Sequence, residues 1–196
     1  MLARFVALGL GLVPLAERGV SAKEGQWLAE HLAFDVSGAA GWRVAWAEAR
    51  NPGFHFIGGG GEVNLGLEFD SGFGFLLGTR ALFGKNLGPS GGLVFADVTG
   101  QVIGQFRLND WVRIGLGASA GRFFECCSSE VTPDRVSALA GGFLRIGIDY
   151  LPRNTGLPRG LSLWLRIGVD GHPGSTVNSR LPATSMNIAL GSGIRL

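Results

Sequence analysis

Apolar and polar residues alternate through most of this chain, and the longest such stretch runs from Gly92 to Phe124. Val94, Ala96, Val98, Val102, Phe106 and Leu108 alternate with Asp97, Thr99, Gln101, Gln105 and Arg107, a period of two that marks a strand with one apolar face. Asn109-Asp110-Trp111 has the length of a three-residue hairpin loop. Beyond it Val112, Ile114, Leu116, Ala118 and Ala120 alternate with Arg113, Gly115, Gly117, Ser119 and Gly121. Strands in soluble proteins are usually about 5–6 residues long, so strands of this length need a reason.

The same period recurs on both sides of this hairpin. A first strand is predicted over Leu32–Ala47, with Leu32, Phe34, Val36, Ala40, Trp42, Val44 and Trp46 on one face and Asp35, Ser37, Ala39, Gly41 and Arg43 on the other. Glu48–Gly61, with its proline and glycines, reads as a loop or a fraying strand end. Strand two is predicted over Glu62–Asp70, and Asp70-Ser71-Gly72 turns the chain into strand three, Phe73–Phe83, where Leu76 and Leu82 blur the alternation. Gly84–Gly91 is a loop before the hairpin, which supplies strands four and five, and a polar loop begins at Glu125. Strand six is Arg135–Tyr150, strand seven Leu161–Asp170 and strand eight Ala183–Leu196, joined by a proline-bearing connection and a longer loop around His172. The prediction is therefore an all-β chain of eight antiparallel strands, with connections that mostly alternate between short and long.

Composition changes what those strands are for. Charged residues make up 16 % and hydrophobic residues 46 % of the chain, against roughly 25 % charged in a typical soluble domain, and the mean hydropathy is +0.27. No apolar run reaches the ~18–20 residues of a membrane helix, so contact with a bilayer has to be made by strands. Glycine contributes 34 of 196 residues, more than twice the usual ~7 %. The formal charge of +2 is too small to indicate a nucleic-acid partner. Residues 1–22 have the form of an export signal, with Arg4, an apolar stretch from Phe5 to Ala16, and Val20-Ser21-Ala22 as a small-residue cleavage site. Residues 23–31 are then a short tail and residues 32–196 the β domain.

The polar faces of the strands carry Arg43, Arg80, Arg107, Arg113, Arg145, Arg166 and Arg195 against Asp35, Glu62, Glu68, Asp70, Asp97, Asp149 and Asp170. Glycines such as Gly66, Gly115, Gly117, Gly141, Gly168 and Gly191 lie between them. An open wetted surface needs neither balanced charge nor small neighbours. A narrow closed lumen needs both, since each arginine must find a carboxylate and room for its side chain. The apolar face is then the outside, which suits lipid, where a closed barrel satisfies every backbone donor and acceptor. The competing arrangement is a soluble eight-stranded cup with the apolar face around a ligand.

These long alternating strands, the Asn109-Asp110-Trp111 turn and the final strand Ser185–Leu196 resemble the small eight-stranded outer-membrane barrels of Gram-negative bacteria, similar to OmpA, OmpX and OmpW. The resemblance implies an eight-stranded antiparallel up-and-down transmembrane β-barrel in the outer membrane, reached by export. It implies that termini and short turns are periplasmic and that longer loops face outward. The implied partners are outer-membrane lipid and lipopolysaccharide, the assembly machinery during insertion, and an unidentified partner of the outer loops. Leu196 departs from the family's usual terminal aromatic residue. Trp46, Phe83 and Phe123 are candidates for an outer aromatic girdle and Phe73, Trp111 and Tyr150 for an inner one, although all six also suit ordinary strand positions.

The candidate site is the lumen network of Asp35, Arg43, Glu68, Arg80, Asp97, Arg107, Arg113, Arg145, Asp149, Arg166 and Arg195. Cys126 and Cys127 fall in the predicted polar loop, as a strained bridge between neighbours, two thiols or an intermolecular pair. No cofactor is implied: Gly58–Gly61 lacks the lysine and following helix of a phosphate loop. His172 and Ser175 would suggest a lipid-modifying hydrolase, but Pro173 and Gly174 between them make a turn and the spacing is wrong. The functional expectation is a non-enzymatic membrane barrel with a structural or loop-mediated binding role. A narrow channel for small or hydrophobic solutes and a lipid A-modifying enzyme are the alternatives.

Overall fold

Eight antiparallel strands close into one barrel, each paired with its neighbours in sequence and the last with the first. The computed structural model describes Trp27 and residues 31–46, 54–87, 93–127, 135–150, 160–173 and 184–195. The strands are β1 (Leu32–Trp46), β2 (Phe54–Glu68), β3 (Phe73–Asn86), β4 (Leu93–Arg107), β5 (Val112–Cys127), β6 (Arg135–Tyr150), β7 (Gly160–Gly171) and β8 (Thr184–Arg195). Turns 69–72 and 108–111, with the end of β6 and the start of β7, lie at the end where β1 starts and β8 finishes, here the turn end; the opposite strand ends define the loop end. The predicted export signal lies outside the described residues, and of the short tail only Trp27 and His31, both helical, are described.

The register fixes the barrel's size. From Leu32, partners run through Leu67, Phe75, Gly104, Leu116, Leu144, Ile167 and Ile188 and return to β1 at Trp42. The circuit closes 42 − 32 = 10 residues further along the strand. With a rise of ~3.3 Å per residue and strands ~4.8 Å apart, that offset tilts the strands by roughly 40°. Strands of 12 to 16 residues then stand roughly 30–40 Å tall along the axis, enough to cross a hydrocarbon layer with overhang.

Alternation assigns the faces. Val36, Val63, Leu77, Val98, Leu116, Ile146, Leu163 and Leu190 point outward and are exposed, while Asp35, Glu62, Arg80, Asp97, Arg113, Arg145 and Asn187 point inward and are buried. Leu76 and Leu82 occupy inward positions, so the blurred pattern of β3 is an apolar contribution to the lumen. Among the described strand side chains, the charges on the outer face are Lys85 and Arg122, both towards the loop end. Phe73, Phe106, Trp111 and Tyr150 are exposed near the turn end, where Trp27 also stacks on His31 and approaches Phe69.

Both tight turns have local causes. Gly72 adopts a φ of +82°, the left-handed conformation glycine tolerates best, and its amide donates to the Phe69 carbonyl at 2.8 Å. At the other turn the Asn109 side-chain oxygen accepts from the amides of Trp111 and Val112, each at 2.9 Å, and Leu108 donates to the Val112 carbonyl at 2.9 Å. That leaves Asn109–Trp111 as the predicted three-residue loop.

Four sequence expectations need correction. β2 begins at Phe54 instead of Glu62, so Gly58–Gly61 are strand residues, paired with β1 and β3 on either side. Their smallness serves a close approach: a Cβ at Gly60 would collide with the Ala81 carbonyl of β3, and one at Gly58 with that of Phe83. β3 continues to Asn86, into the predicted loop. β5 runs through Cys127, and Cys126 and Cys127 stand opposite Val94 and Leu93 of β4, at a strand end and not in a loop. Phe123 is fully buried and faces the lumen, so it is no part of an outer girdle.

Gly60→Val should therefore lower stability by about 1–3 kcal/mol, as overpacking does. Gly100→Ala, whose Cβ would meet only the Ala120 carbonyl oxygen at 3.8 Å, should be nearly neutral. Urea unfolding of the refolded barrel followed by tryptophan emission measures both.

Candidate functional site: the charged lumen

Strand parity and the register's offset together decide which residues meet inside the barrel. Nearest the turn end, Glu68 of β2 receives Arg195 of β8, Arg107 of β4 at 3.4 Å, Arg113 of β5 at 3.9 Å and the Gln105 amide at 3.3 Å. Arg113 also holds Asp149 of β6. Arg107 is the outermost member, with 38 % of its side chain exposed.

Above this layer Arg145 of β6 bridges Asp35 at 3.0 Å and Glu62 at 2.9 Å, carboxylates of β1 and β2. Its guanidinium lies 4.9 Å from the Trp164 ring, whose indole N–H donates to Ser37 at 3.0 Å. Gln101 is a hub: its amide nitrogen donates to Asn64 at 2.7 Å and its oxygen accepts from Arg166 at 2.6 Å. Arg166 stacks 3.5 Å from the Phe143 ring centre and reaches Ser119 at 3.3 Å. Nearer the loop end Arg43 pairs with Asp97 at 2.9 Å and Asp170 at 3.3 Å, Arg80 with Asp97 at 3.6 Å, and Asn187 donates to Asp170 at 2.6 Å.

An apolar plug caps this lattice. The rings of Phe56, Phe95 and Phe123 sit 5.0 to 5.9 Å apart, with Leu82 and Leu139 in the same cluster. His172, just past the end of β7, meets the Phe123 ring edge-on at 5.4 Å, between Ser137 at 3.1 Å and Ser185 at 3.2 Å. The ring is buried inside the mouth, not held out on the predicted loop. Ser175 lies outside the described residues.

The structure places the expected residues around one lumen, with three departures. Arg166 is buried against Gln101, Ser119 and the Phe143 ring and forms no ion pair with a carboxylate among the described residues. Asp70 is fully exposed at the turn, 3.8 Å from His31, and takes no part in the lumen. Arg107 sits at the mouth and not within. The small residues have the predicted role: a Cβ at Gly191 would fall on the Trp164 ring and one at Gly117 on the Phe143 ring. The plug and Gln101's hub position were missed, although parity places Phe123 on the same face as Ser119 and Arg113. Equating the inward face with polar residues hid it. Among the described residues no cluster of His, Cys, Asp or Glu could hold a metal ion.

The arrangement is one of mutual neutralisation. A guanidinium or carboxylate out of bulk water is strongly disfavoured unless paired, and Arg43, Arg80, Arg107, Arg113, Arg145 and Arg195 each meet a carboxylate from another strand, while Arg166 is held by Gln101, Ser119 and the Phe143 ring instead. Arg145→Leu should lower stability by about 3–5 kcal/mol by leaving Asp35 and Glu62 without their shared partner. Arg107→Leu, at the partly wetted mouth, should cost no more than about 1 kcal/mol. Urea midpoints of the two variants give the comparison, and equal midpoints would mean that the inner face is solvated.

No protein-family profile matches the sequence, and no curated protein matches it. Solved structures do. Neisserial surface protein A superimposes with a TM-score of 0.56 at 15 % identity, covering 84 % of this chain and 96 % of that one. Ail, the attachment invasion locus protein of Yersinia pestis, superimposes with a TM-score of 0.53 at 12 % identity, covering 85 % of this chain and 99 % of that one. At these identities the likeness is one of fold.

Proposed function

We propose, from the premise that this chain has the fold of the small eight-stranded outer-membrane barrels, that it is an integral outer-membrane protein with a non-conducting lumen. Its role is structural or binding, carried at the loop end. The observation behind this reading is the joint arrangement of faces: an apolar exterior on all eight strands around an interior of paired charge under a phenylalanine plug. So large an exposed apolar surface is untenable in water and suits lipid. Exported through the periplasm and inserted by the outer-membrane assembly machinery, the barrel keeps its termini and tight turns periplasmic and its loops outside. Its outer face contacts lipid and lipopolysaccharide.

The lumen supports no transport role. Most of its arginines and its carboxylates are interlocked, and a constriction of packed phenylalanine rings opposes wetting. A hydrolase role has equally little support, since His172 and its two serine partners are buried with it. Ail is named for attachment and invasion; a barrel closed through its centre likewise leaves its loops as the surface for a partner.

Purified protein should migrate on a detergent gel as a compact band that shifts on boiling. Inserted into planar bilayers, it should show no discrete conductance steps. Regular openings from heat-modifiable protein would replace this reading with the channel, and extraction from membranes by urea without detergent would remove the membrane assignment.

A further inference from the structure

Buried lumen side-chain atoms without a hydrogen-bond partner fall mainly in two groups, one on Arg43, Arg80, Asp97 and Thr99 nearer the loop end, where ion pairs hold the three charged residues, and one towards the turn end. The Asp35 Oδ1, the Arg113 Nε and the Ser162 Oγ are all buried and unpartnered. All three residues line one cavity towards the turn end, together with Arg145, Asp149 and Gly147. A Cβ built at Gly147 meets only the Leu163 carbonyl oxygen, at 3.8 Å, so the chamber wall is open at that point. The free space admits about one or two waters and nothing much larger.

The chemistry of the lining selects the occupant. Two arginines face two carboxylates, so the cavity has no net charge to attract an ion. An anion would confront Asp35 and a cation Arg113. The open valences are an acceptor at Asp35, a donor at Arg113 and a hydroxyl at Ser162 that does either. Water, with two protons and two lone pairs, fits that set. The two ends of the lumen differ as well. At the turn end Arg107, Glu68 and Arg195 keep 38, 17 and 12 % of their side chains exposed, whereas at the loop end Phe56 and Phe123 are 1 and 0 % exposed.

We infer that the turn-end cavity is a water-binding site bridging Asp35, Arg113 and Ser162, and that the lumen is a blind chamber hydrated from the turn end alone. The bound water completes hydrogen bonds that the ion pairs leave open, and the layers of Arg166 with Gln101 and of Arg43 with Asp97, capped by the phenylalanine plug, separate it from the loop end. The inference goes beyond the proposed function and depends on the closed barrel, not on membrane residence or conductance.

Water-selective rotating-frame cross-relaxation on the refolded protein in detergent micelles tests it. Cross peaks should join water to the Hα protons of Gly115 and Gly147, both on the chamber wall, and should be absent from the ring protons of Phe56 and Phe123. Silence at the two glycines, or equal peaks at the two phenylalanines, would overturn it. Gly147→Leu adds a stability readout. Displacing bound water strands three polar atoms and should lower the urea midpoint, whereas filling a dry void would raise it. If that variant does not refold, the cross peaks of the unsubstituted protein still decide.

Discussion

Charge taken out of water must meet its opposite, and in this barrel that requirement is satisfied across strands, not along them. Arg43 reaches Asp170, a separation of 127 residues, and Arg195 reaches Glu68 over the same separation. Such pairs exist only once the sheet has closed with the correct offset. A register slip of one residue would turn the slipped strand's inward arginines towards the apolar exterior, so the ion pairs and the closure specify each other.

Space is the second half of the same constraint. A narrow interior cannot hold a large side chain at every inward position, and the chain alternates long residues with glycine. Trp164 fills the room left at Gly191 and Phe143 the room left at Gly117. The aromatic rings in turn face the guanidinium groups of Arg145 and Arg166, an arrangement that strengthens when both partners are desolvated. The interior is therefore a solid of paired charges and rings, closed at one end by Phe56, Phe95 and Phe123 and wetted at the other. Function is left to the surface.

Much of this was legible before any coordinates, because a strand's period of two is a geometric necessity. Asp97, Arg113 and Arg145 follow from parity alone, and so do the strand number and the inward glycines. Partner identity was not legible. That Arg145 joins Asp35 and Glu62 depends on the ten-residue offset, which no single strand encodes. Gly58–Gly61 read as loop because glycine favours strands poorly in isolation, whereas here β3 approaches too closely for a side chain at Gly58 or Gly60. His172 shows the same limit: a turn-forming neighbourhood described its backbone, but its burial between Ser137 and Ser185 arises from strands distant in sequence.

The central claim is that the polar face is inside and the apolar face meets lipid, and tryptophan positions separate it cleanly from the inverted soluble cup. Trp42 is 38 % exposed on the outer wall and Trp164 is 2 % exposed in the lumen. In single-tryptophan variants reconstituted with lipids brominated on their acyl chains, the account predicts strong quenching of Trp42 emission and almost none of Trp164. Quenching of Trp164 with Trp42 unaffected would contradict it.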